Sequence, residues 1–362
     1  MSGHFEYELL DNHQQVVDLR EKLTELYATP FSDILWWELL NPSLIDNGYY
    51  KLFYYEQSVL KHIILFEYPA KEQKKIFVMN EEIKIPIEDI RNICRILFNE
   101  FDKVKQINFH KIFELNPKQS HKTIFEFSRY GGDKIIPLPE TMDAYMKSLN
   151  KSVRKDINQK MNRITRDFSD FKVHYYENND ILLGQIEKLV LLHRDRMQTI
   201  GQKTGYDDIY CKFLHQYAST SGFGLLCVYT IDGNIVSGTI NFVIGEHAYM
   251  YVISHDNLYN YYSIGYMTNV HTIKYLINKK DINYYHLLGG DQEYKIRLGG
   301  IHYDTFTYWV FRNYNLYYFW HKIKSVLKYN NRKYRKRLKA NKTIYDYYLK
   351  LKQLKMKISV TH

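Results

Sequence analysis

The chain has 362 residues, 45% of them apolar and 25% charged, which excludes a disordered protein and allows a sizeable core. No apolar run reaches the ~18 residues of a membrane-spanning helix, and we expect no secretory signal. The spacing of the three cysteines matches neither a zinc site nor a disulfide framework. The net charge of +10 is uneven, because residues 313–362 hold 14 Lys and Arg against one acid. We therefore predict a cytoplasmic protein with a slightly acidic body and a strongly basic tail.

The first half of the chain has the pattern of an α+β fold. Clusters of aromatic and β-branched residues predict strands, and apolar residues three or four apart predict helices. Along the chain these are a helix at 12–27, strands at 49–55, 59–68 and 75–79, a helix at 87–101 and a strand at 106–115.

Residues 117–139 contain three prolines and the pair Gly131-Gly132, which favours a domain boundary there. A long helical stretch follows at 140–167. The second half then repeats the element order of the first: helices at 181–200 and 207–219, strands at 223–231, 234–244 and 248–254, a helix at 266–277, and strands at 282–288 and 302–311. This shared order suggests a structural duplication. The basic residues 313–362 are predicted to form two amphipathic helices.

The first candidate site lies where the strand at 248–254 feeds a loop and a helix. Free backbone N–H groups at such a helix start, together with the helix dipole, can bind a pyrophosphate. Gly265 would let a ligand approach the backbone closely, and Ser263 and Thr268 could add hydroxyl donors. The alternative is that Ser263 only caps the helix and Gly265 only packs.

The second candidate site follows the buried strand that ends at Gly289-Gly290-Asp291. Burial beside apolar walls can raise the pKa of the Asp291 carboxyl towards that of a useful general base. Tyr294 could protonate a leaving thiolate. In the alternative interpretation, Gly-Gly-Asp is a plain turn and Glu293 pairs with Arg297 on a short helix.

Other side chains form weaker candidates. Arg196 could contact an anion, and His286 is either a substrate contact or a hydrogen-bonded core residue. Tyr249 and Tyr251 could stack on a sugar or nucleotide ring. No serine or cysteine nucleophile motif occurs, and no carboxylate cluster has metal spacing, so we predict no metal site.

The element order and these residues together resemble the GNAT acyltransferases. The stretch from Ile135 through Ile157 is similar to the inter-domain segment of the CelD-like acetyltransferases of polysaccharide biosynthesis, and Gly290-Asp-Gln-Glu-Tyr-Lys295 is similar to a motif near the end of that domain. Those proteins, like the FemAB-type transferases, are built from two tandem GNAT folds. The resemblance implies three parts: residues 1–134 as a GNAT-like domain without a coenzyme cradle, 135–312 as the catalytic GNAT domain, and 313–362 as the tail.

The resemblance also implies acyl transfer from acyl-coenzyme A to a primary amine. The coenzyme would bind at Asn260, Ser263, Ile264, Gly265, Tyr266 and Thr268, with its pantetheine arm paired to the strand near Val252 and Ile253. Two of the three motif positions, Asn260 and Ser263, depart from the usual cradle pattern. Asp291 would be the general base with Glu293 and His286 in reserve, Tyr294 would protonate the thiolate, and Lys295 would be structural or would contact acceptor phosphate.

The predicted acceptor is a small amino sugar, linked to a nucleotide, used in cell-surface polysaccharide synthesis. No nucleic-acid partner is expected, and the tail could touch a membrane surface. Two alternatives stay open: a FemAB-like transferase that uses aminoacyl-tRNA, whose phosphates the tail could bind, and a non-catalytic protein that binds nucleic acid or a membrane surface.

Overall fold

The structure is a computed structural model that describes residues 5–11, 14–44, 49–68, 74–113, 125–290, 292–314 and 316–324. The last 38 residues, which hold most of the predicted basic helices, lie outside the described residues. So does Asp291, the predicted general base.

In the first half, the described residues form six strands and three α-helices. Their bounds are β1 Phe5–Leu10, α1 Leu19–Tyr27, α2 Ile34–Leu40, β2 Tyr50–Glu56, β3 Val59–Glu67, β4 Lys75–Val78, α3 Ile87–Glu100, β5 Gln106–Phe113 and β6 Phe125–Pro137. Helix α3 forms where the apolar spacing predicts it, since Ile90, Ile93 and Leu97 lie on one face and are buried.

The second half contains six helices and six strands. Their bounds are α4 Met142–Ser148, α5 Lys151–Asp167, β7 Lys172–Glu177, α6 Leu183–Thr199, α7 Asp208–Thr220, β8 Gly224–Ile231, β9 Asn234–Ile244, β10 His247–His255, α8 Ile264–Asn278, β11 Tyr284–His286, α9 Glu293–Arg297 and β12 Ile301–Phe311. A further helical segment spans 316–324. The hairpin turn predicted at Asp232-Gly233 joins β8 to β9, and both residues have positive φ.

All twelve strands form one sheet in the order β1-β2-β3-β4-β5-β12-β6-β11-β10-β9-β8-β7. The order is symmetric about its centre. In each half, four strands are followed by a fifth that pairs in parallel with the fourth, β5 with β4 and β11 with β10, and by a sixth strand at the centre. The predicted α+β class, with two tandem GNAT folds in a mostly antiparallel sheet flanked by helices, is confirmed; the predicted tail falls mainly outside the described residues.

The two central strands are exchanged between the halves. β6 follows β5 in the chain yet pairs with β11, and β12 follows β11 yet pairs with β5. The two strands also pair with each other over ten residue pairs, from Ile301↔Ile135 to Val310↔Phe125. The predicted boundary at residue 134 therefore falls inside β6, and the predicted domain division stays a prediction.

The two halves also share packing. Trp36 of α2 is 3% exposed and contacts Phe213, Tyr217 and Phe242 of the second half, with ring centroids 4.8 to 5.6 Å apart. The Arg20 guanidinium donates to the Asp33 carboxylate at 2.8 Å and to the Ser221 carbonyl oxygen at 2.8 Å. The first half therefore completes the hydrophobic core of the second.

Candidate active site

A gap opens between the parallel strands β10 and β11. Their register runs from His247↔Tyr284 to Tyr249↔His286 and stops there, while β10 continues to His255. The next amide of the β11 chain, that of Leu287, donates instead to the Lys134 carbonyl oxygen on β6 at 2.9 Å. On its other side, β10 carries a bulge between Met250 and Val252. At Val252 and Ile253, β10 therefore has no strand partner on its β11 side among the described residues, although Nδ1 of His193 lies 3.4 Å from the Ile253 carbonyl oxygen.

Helix α8 begins beside the far end of this gap. A short 3-10 helix, Asn257–Tyr262, leads to Ser263, whose backbone is left-handed with φ 52° and ψ 41° and whose side chain forms no capping hydrogen bond. Among the described residues no acceptor meets the amides of Ile264, Gly265 and Tyr266. Three free N–H groups at the positive end of a 15-residue helix form a site suited to phosphate.

Gly265 leaves no room for a side chain at this helix start. A Cβ atom there would lie 2.6 Å from Nδ1 of His255. The other ring nitrogen of His255, Nε2, lies 2.9 Å from Oδ1 of Asn260, while Nδ1 is buried without a partner among the described residues. Burial lowers the pKa of His255, and the charge of Arg196 lowers it further. The sequence analysis missed His255, although its place at the end of β10 could have marked it.

Thr268 does not belong to the predicted cradle. Its side chain is fully buried, its hydroxyl donates to the Ile264 carbonyl oxygen at 2.8 Å, and it also bonds Oγ of Ser237 at 2.8 Å. The prediction of a ligand-facing hydroxyl at Thr268 is wrong, because the residue lies one turn into α8 on the face that packs against the sheet.

Helix α5 supplies cations next to the α8 start. The Arg163 guanidinium lies 4.4 Å from the ring centroid of Tyr261, and the Lys160 ammonium lies 5.3 Å from that of Tyr266. The sequence analysis predicted this helix but gave it no role in binding. The Tyr266 hydroxyl is buried without a partner among the described residues, and burial raises the pKa of Tyr266 to about 12.

The predicted catalytic residues follow β11. Tyr294 on α9 is half-buried, and burial raises its pKa to about 12 against the opposing charge of Arg196. Arg196 on α6 thus acts electrostatically on both Tyr294 and His255. Glu293 is exposed in the first turn of α9. The ion pair between Glu293 and Arg297 of the alternative interpretation does not form, because the Arg297 guanidinium donates to Asp156 at 2.7 Å.

Three of the predicted substrate contacts are engaged inside the protein. His286 is 4% exposed and its Nδ1 donates to Oδ2 of Asp133 at 2.5 Å. The Tyr249 hydroxyl donates to the Ala28 carbonyl oxygen at 2.9 Å. The buried Lys295 ammonium donates to the Leu287, Leu288 and Gly289 carbonyl oxygens at 2.7, 3.1 and 2.5 Å. The prediction that these side chains contact the substrate directly is therefore wrong. For Lys295 the structural alternative holds, because its ammonium fixes the chain after β11.

A cleft of about 600 Å³ lies between the halves and reaches the β10–β11 gap. The predicted residue Tyr251 lines it, with its hydroxyl bonded to that of Tyr210, and so do Leu288 and Gly289. The first half supplies most of the remaining lining, including the carboxyl groups of Glu82 and Asp133. The sequence analysis missed this contribution, because it searched the first half only for a glycine loop.

The equivalent gap of the first half is closed by the chain itself. After β4 the chain meets β5 again in the same direction, with a parallel bridge between Lys84 and Phe113. The Glu82 amide donates to the Lys111 carbonyl oxygen at 2.8 Å, and the Phe113 amide donates to that of Ile83 at 2.9 Å. Helix α3 then begins after Pro86, which has no N–H, and carries Glu88 and Asp89 in its first turn. Both features disfavour phosphate binding at that helix start.

Comparison with known proteins agrees with this fold. Residues 151–296 match the family model described as an acetyltransferase (GNAT) domain. The crystal structure of FemX is 10% identical over 83% of this chain and 96% of its own, with a TM-score of 0.54. A conserved protein of unknown function from Bacteroides thetaiotaomicron is 13% identical over 84% of this chain and 100% of its own, with a TM-score of 0.51. No curated protein gives a significant match.

The chain is therefore an acyl-transferring enzyme with GNAT architecture. The similarity to the CelD-like branch stays a prediction. In the described part of the chain, no helix is long and apolar enough to cross a membrane, and no group of three or more His, Cys, Asp or Glu side chains could hold a metal ion.

Proposed function

We propose that the protein transfers an acyl group from acyl-coenzyme A to the primary amine of a small acceptor, and that this acceptor is an amino sugar linked to a nucleotide and used in cell-surface polysaccharide synthesis. The observation that carries the proposal is the open β10–β11 gap, which runs from the free amides at the start of α8 to the cleft between the halves. The amino-sugar part rests on the family resemblance alone.

The described residues fit the coenzyme. The amides of Ile264, Gly265 and Tyr266 would hold the pyrophosphate, with Ser263 and Asn260 forming the turn before them. The β11 side of β10 at Val252 and Ile253 would receive the amide groups of the pantetheine arm. Arg163 on α5 adds positive charge near the phosphates, whereas Lys160 is paired with the Asp156 carboxylate at 2.9 Å.

Bound acyl-coenzyme A would supply a thioester carbon for attack by the amine. The protein then has to hold the amine close to that carbon, remove its proton and protonate the leaving sulfur. Tyr294 suits the last step, because its raised pKa keeps the hydroxyl protonated at neutral pH. Asp291 remains the proposed base and Glu293 its reserve.

A transferase that uses aminoacyl-tRNA is the second candidate. The observation that favours it is the fold, since the likeness to FemX extends over both halves. The basic residues 313–362 would suit an RNA. The non-catalytic alternative is not supported, because the chain is an acyl-transferring enzyme.

The two donors are separated by one experiment. The purified protein is incubated with radiolabelled acetyl-coenzyme A, or with radiolabelled aminoacyl-tRNA, together with UDP-linked amino sugars, and the products are resolved by mass spectrometry. The proposal predicts amide formation from the thioester only, and amide formed only from aminoacyl-tRNA would contradict it. UDP-linked sugars that carry a hydroxyl in place of the amine serve as the acceptor control.

A further inference from the structure

The cleft between the halves is lined both by residues next to the proposed thioester site and by two acidic residues of the first half. Tyr251, Leu288 and Gly289 line the end next to the β10–β11 gap. Glu82 and Asp133 line the part that the first half contributes. An acceptor in this cleft would therefore meet the two carboxyl groups and the acyl donor together.

Glu82 is held in the cleft by the segment that closes the first-half gap. Its backbone is left-handed, with φ 56°, and its amide is bonded to Lys111 of β5. The carboxyl oxygen Oε2 is buried and has no partner among the described residues. Burial raises the pKa of Glu82 to about 8, with the charge of Asp133 raising it further against the opposing effect of Lys111.

Asp133 reaches the same place from β6. It is 2% exposed, and His286 fixes its Oδ2 through the 2.5 Å hydrogen bond. The second ring nitrogen of His286 lies 2.9 Å from Nδ1 of His247. The other carboxylate oxygen, Oδ1, is buried and has no partner in the described part of the protein. Glu82, in the segment after β4, and Asp133, on β6, thus each have one buried carboxyl oxygen without a hydrogen-bond partner among the described residues.

The nearest basic side chain is already committed elsewhere. Lys111 donates to Glu81 at 2.6 Å, and Nδ1 of His110 lies 2.6 Å from the other oxygen of Glu81. No ion pair joins Glu82 to a cation in the described part of the chain. A buried carboxylate is costly where no cation pairs with it directly, so a cationic ligand bound at these two groups would reduce that cost.

We propose that Glu82 and Asp133 form the ammonium site of the acceptor, so that the substrate enters with a protonated primary amine directed at these two oxygens. This inference rests on the proposed acyl transfer. It adds which residues bind the acceptor amine and that the amine binds in its positively charged form. An ammonium has three N–H donors and a positive charge, which match two unused acceptors that carry negative charge.

The site also accounts for the protons that the acyl transfer releases. The ammonium passes its first proton to Glu82 and becomes the nucleophilic amine, and the base of the proposed function is left to remove the second proton after the attack. The amine nitrogen forms the bond to the thioester carbon, the carbon–sulfur bond breaks, and the second nitrogen proton ends on the leaving sulfur. The products are an amide, a thiol and one proton released to solvent from Glu82.

Binding of the ammonium is linked to pH. The groups that face Glu82 are Glu81 beside it, Lys111 on β5, Asp133 on β6 and Tyr249 on β10. A cation next to Glu82 lowers the pKa of its carboxyl, so binding at pH 7 releases a proton. Titration heats in two buffers with different ionisation enthalpies should therefore differ.

The test compares amines with their hydroxyl counterparts on the full chain. Isothermal titration at pH 8 and low salt uses D-glucosamine against D-glucose, and benzylamine against benzyl alcohol. The proteins are the wild type, Glu82→Gln, Asp133→Asn and the double variant, with the exposed carboxylates changed in Glu140→Gln and Asp143→Asn as matched controls. Coenzyme A affinity and melting temperature are measured on each protein.

We expect the wild type and both controls to prefer at least one amine over its hydroxyl counterpart by about tenfold or more, which corresponds to ~1.4 kcal/mol. The double variant should lose this preference while it keeps its coenzyme A affinity. Equal binding of both amines and both alcohols by the wild type, or a preference that survives in the double variant, would overturn the inference. Failure of the wild type to bind coenzyme A would contradict the proposed function instead, and the amine preference would still decide the ammonium site.

Discussion

The amide of Glu82 donates a hydrogen bond to the carbonyl oxygen of Lys111 at 2.8 Å, and this bond lies where the second half of the protein has an open gap. The two halves share one strand order but differ at this position. In the second half the gap can receive a pantetheine arm. In the first half the chain occupies it and carries the Glu82 carboxyl into the cleft. We infer that the duplicated fold has become divided into a donor half and an acceptor half.

Glu82 should make the stability of the protein depend on pH. Its pKa is raised from the ordinary value of 4.5 to about 8 in the folded protein. The folded state therefore binds the proton more tightly than the unfolded state, and this stabilisation is lost as the pH rises through 8. Glu82→Gln should raise the melting temperature by about 2 °C or more at pH 9 and much less at pH 5. Glu140→Gln is the control, and an equal effect of Glu82→Gln at both pH values would contradict the burial of its charge.

Trp36 should be essential for the stability of both halves. It belongs to the first half of the chain but packs among the aromatic rings of the second. Trp36→Ala should lower the free energy of unfolding by about 3–5 kcal/mol, whereas Trp320→Ala, at a side chain 57% exposed, should change it little. Chemical denaturation measures both. Two separate unfolding transitions with only the first shifted by Trp36→Ala would contradict the shared core.

Tyr294→Phe should lower kcat by about 10²-fold while the KM for the acyl donor stays unchanged. The physical reason is that the raised pKa of Tyr294 keeps a proton available for the leaving sulfur at every pH near neutrality. The change removes only the hydroxyl. Tyr284→Phe, on the exposed residue of β11, is the matched control. A normal kcat in Tyr294→Phe would remove Tyr294 from the mechanism.

The helical segment 316–324 should bind anionic membranes. Its Tyr318 and His321 face Phe311 of β12, with ring centroids 5.5 and 5.6 Å away, while the apolar side chains on its other face are exposed: Leu316, Phe319, Trp320 and Ile323. An exposed apolar face followed by the basic residues 325–362 is typical of an interfacial anchor. Vesicles with phosphatidylserine should sediment the wild type but bind Phe319→Ser/Trp320→Ser several-fold less. Equal sedimentation of both proteins would contradict this role.

The periodic patterns of the sequence predicted most of the fold correctly. The hairpin at Asp232-Gly233 and helix α3 formed as expected, because local turn chemistry and apolar spacing determine them. β6 was predicted as a boundary, since Gly131-Gly132 indicates a turn in isolation. In the structure these glycines lie in the centre of the sheet, where a Cβ on Gly132 would be 2.0 Å from the His302 ring. The strand exchange depends on long-range pairing that no local pattern contains.

The candidate site, like the fold, was predicted from the sequence only in part. The start of α8 was predicted because a glycine beside a strand–helix junction has a local signature. The cleft was not, because Glu82 and Asp133 are 51 positions apart in the sequence and meet only through the pairing of β5, β12 and β6. Thr268 and His286 were assigned ligand contacts from their positions in the chain. Their side chains point into the protein, and one sequence without a structure does not reveal that orientation.

The central claim, that the second half binds coenzyme A at the start of α8, is tested most directly by isothermal titration of coenzyme A into the wild type, Gly265→Ala and Gly205→Ala. A Cβ on Gly265 meets the His255 ring at 2.6 Å, whereas a Cβ on Gly205 meets no atom within 4 Å. The account predicts one site per chain in the wild type and in Gly205→Ala, and an affinity weaker by about tenfold or more in Gly265→Ala. Absence of binding in the wild type, or an unchanged affinity in a folded Gly265→Ala, would contradict it.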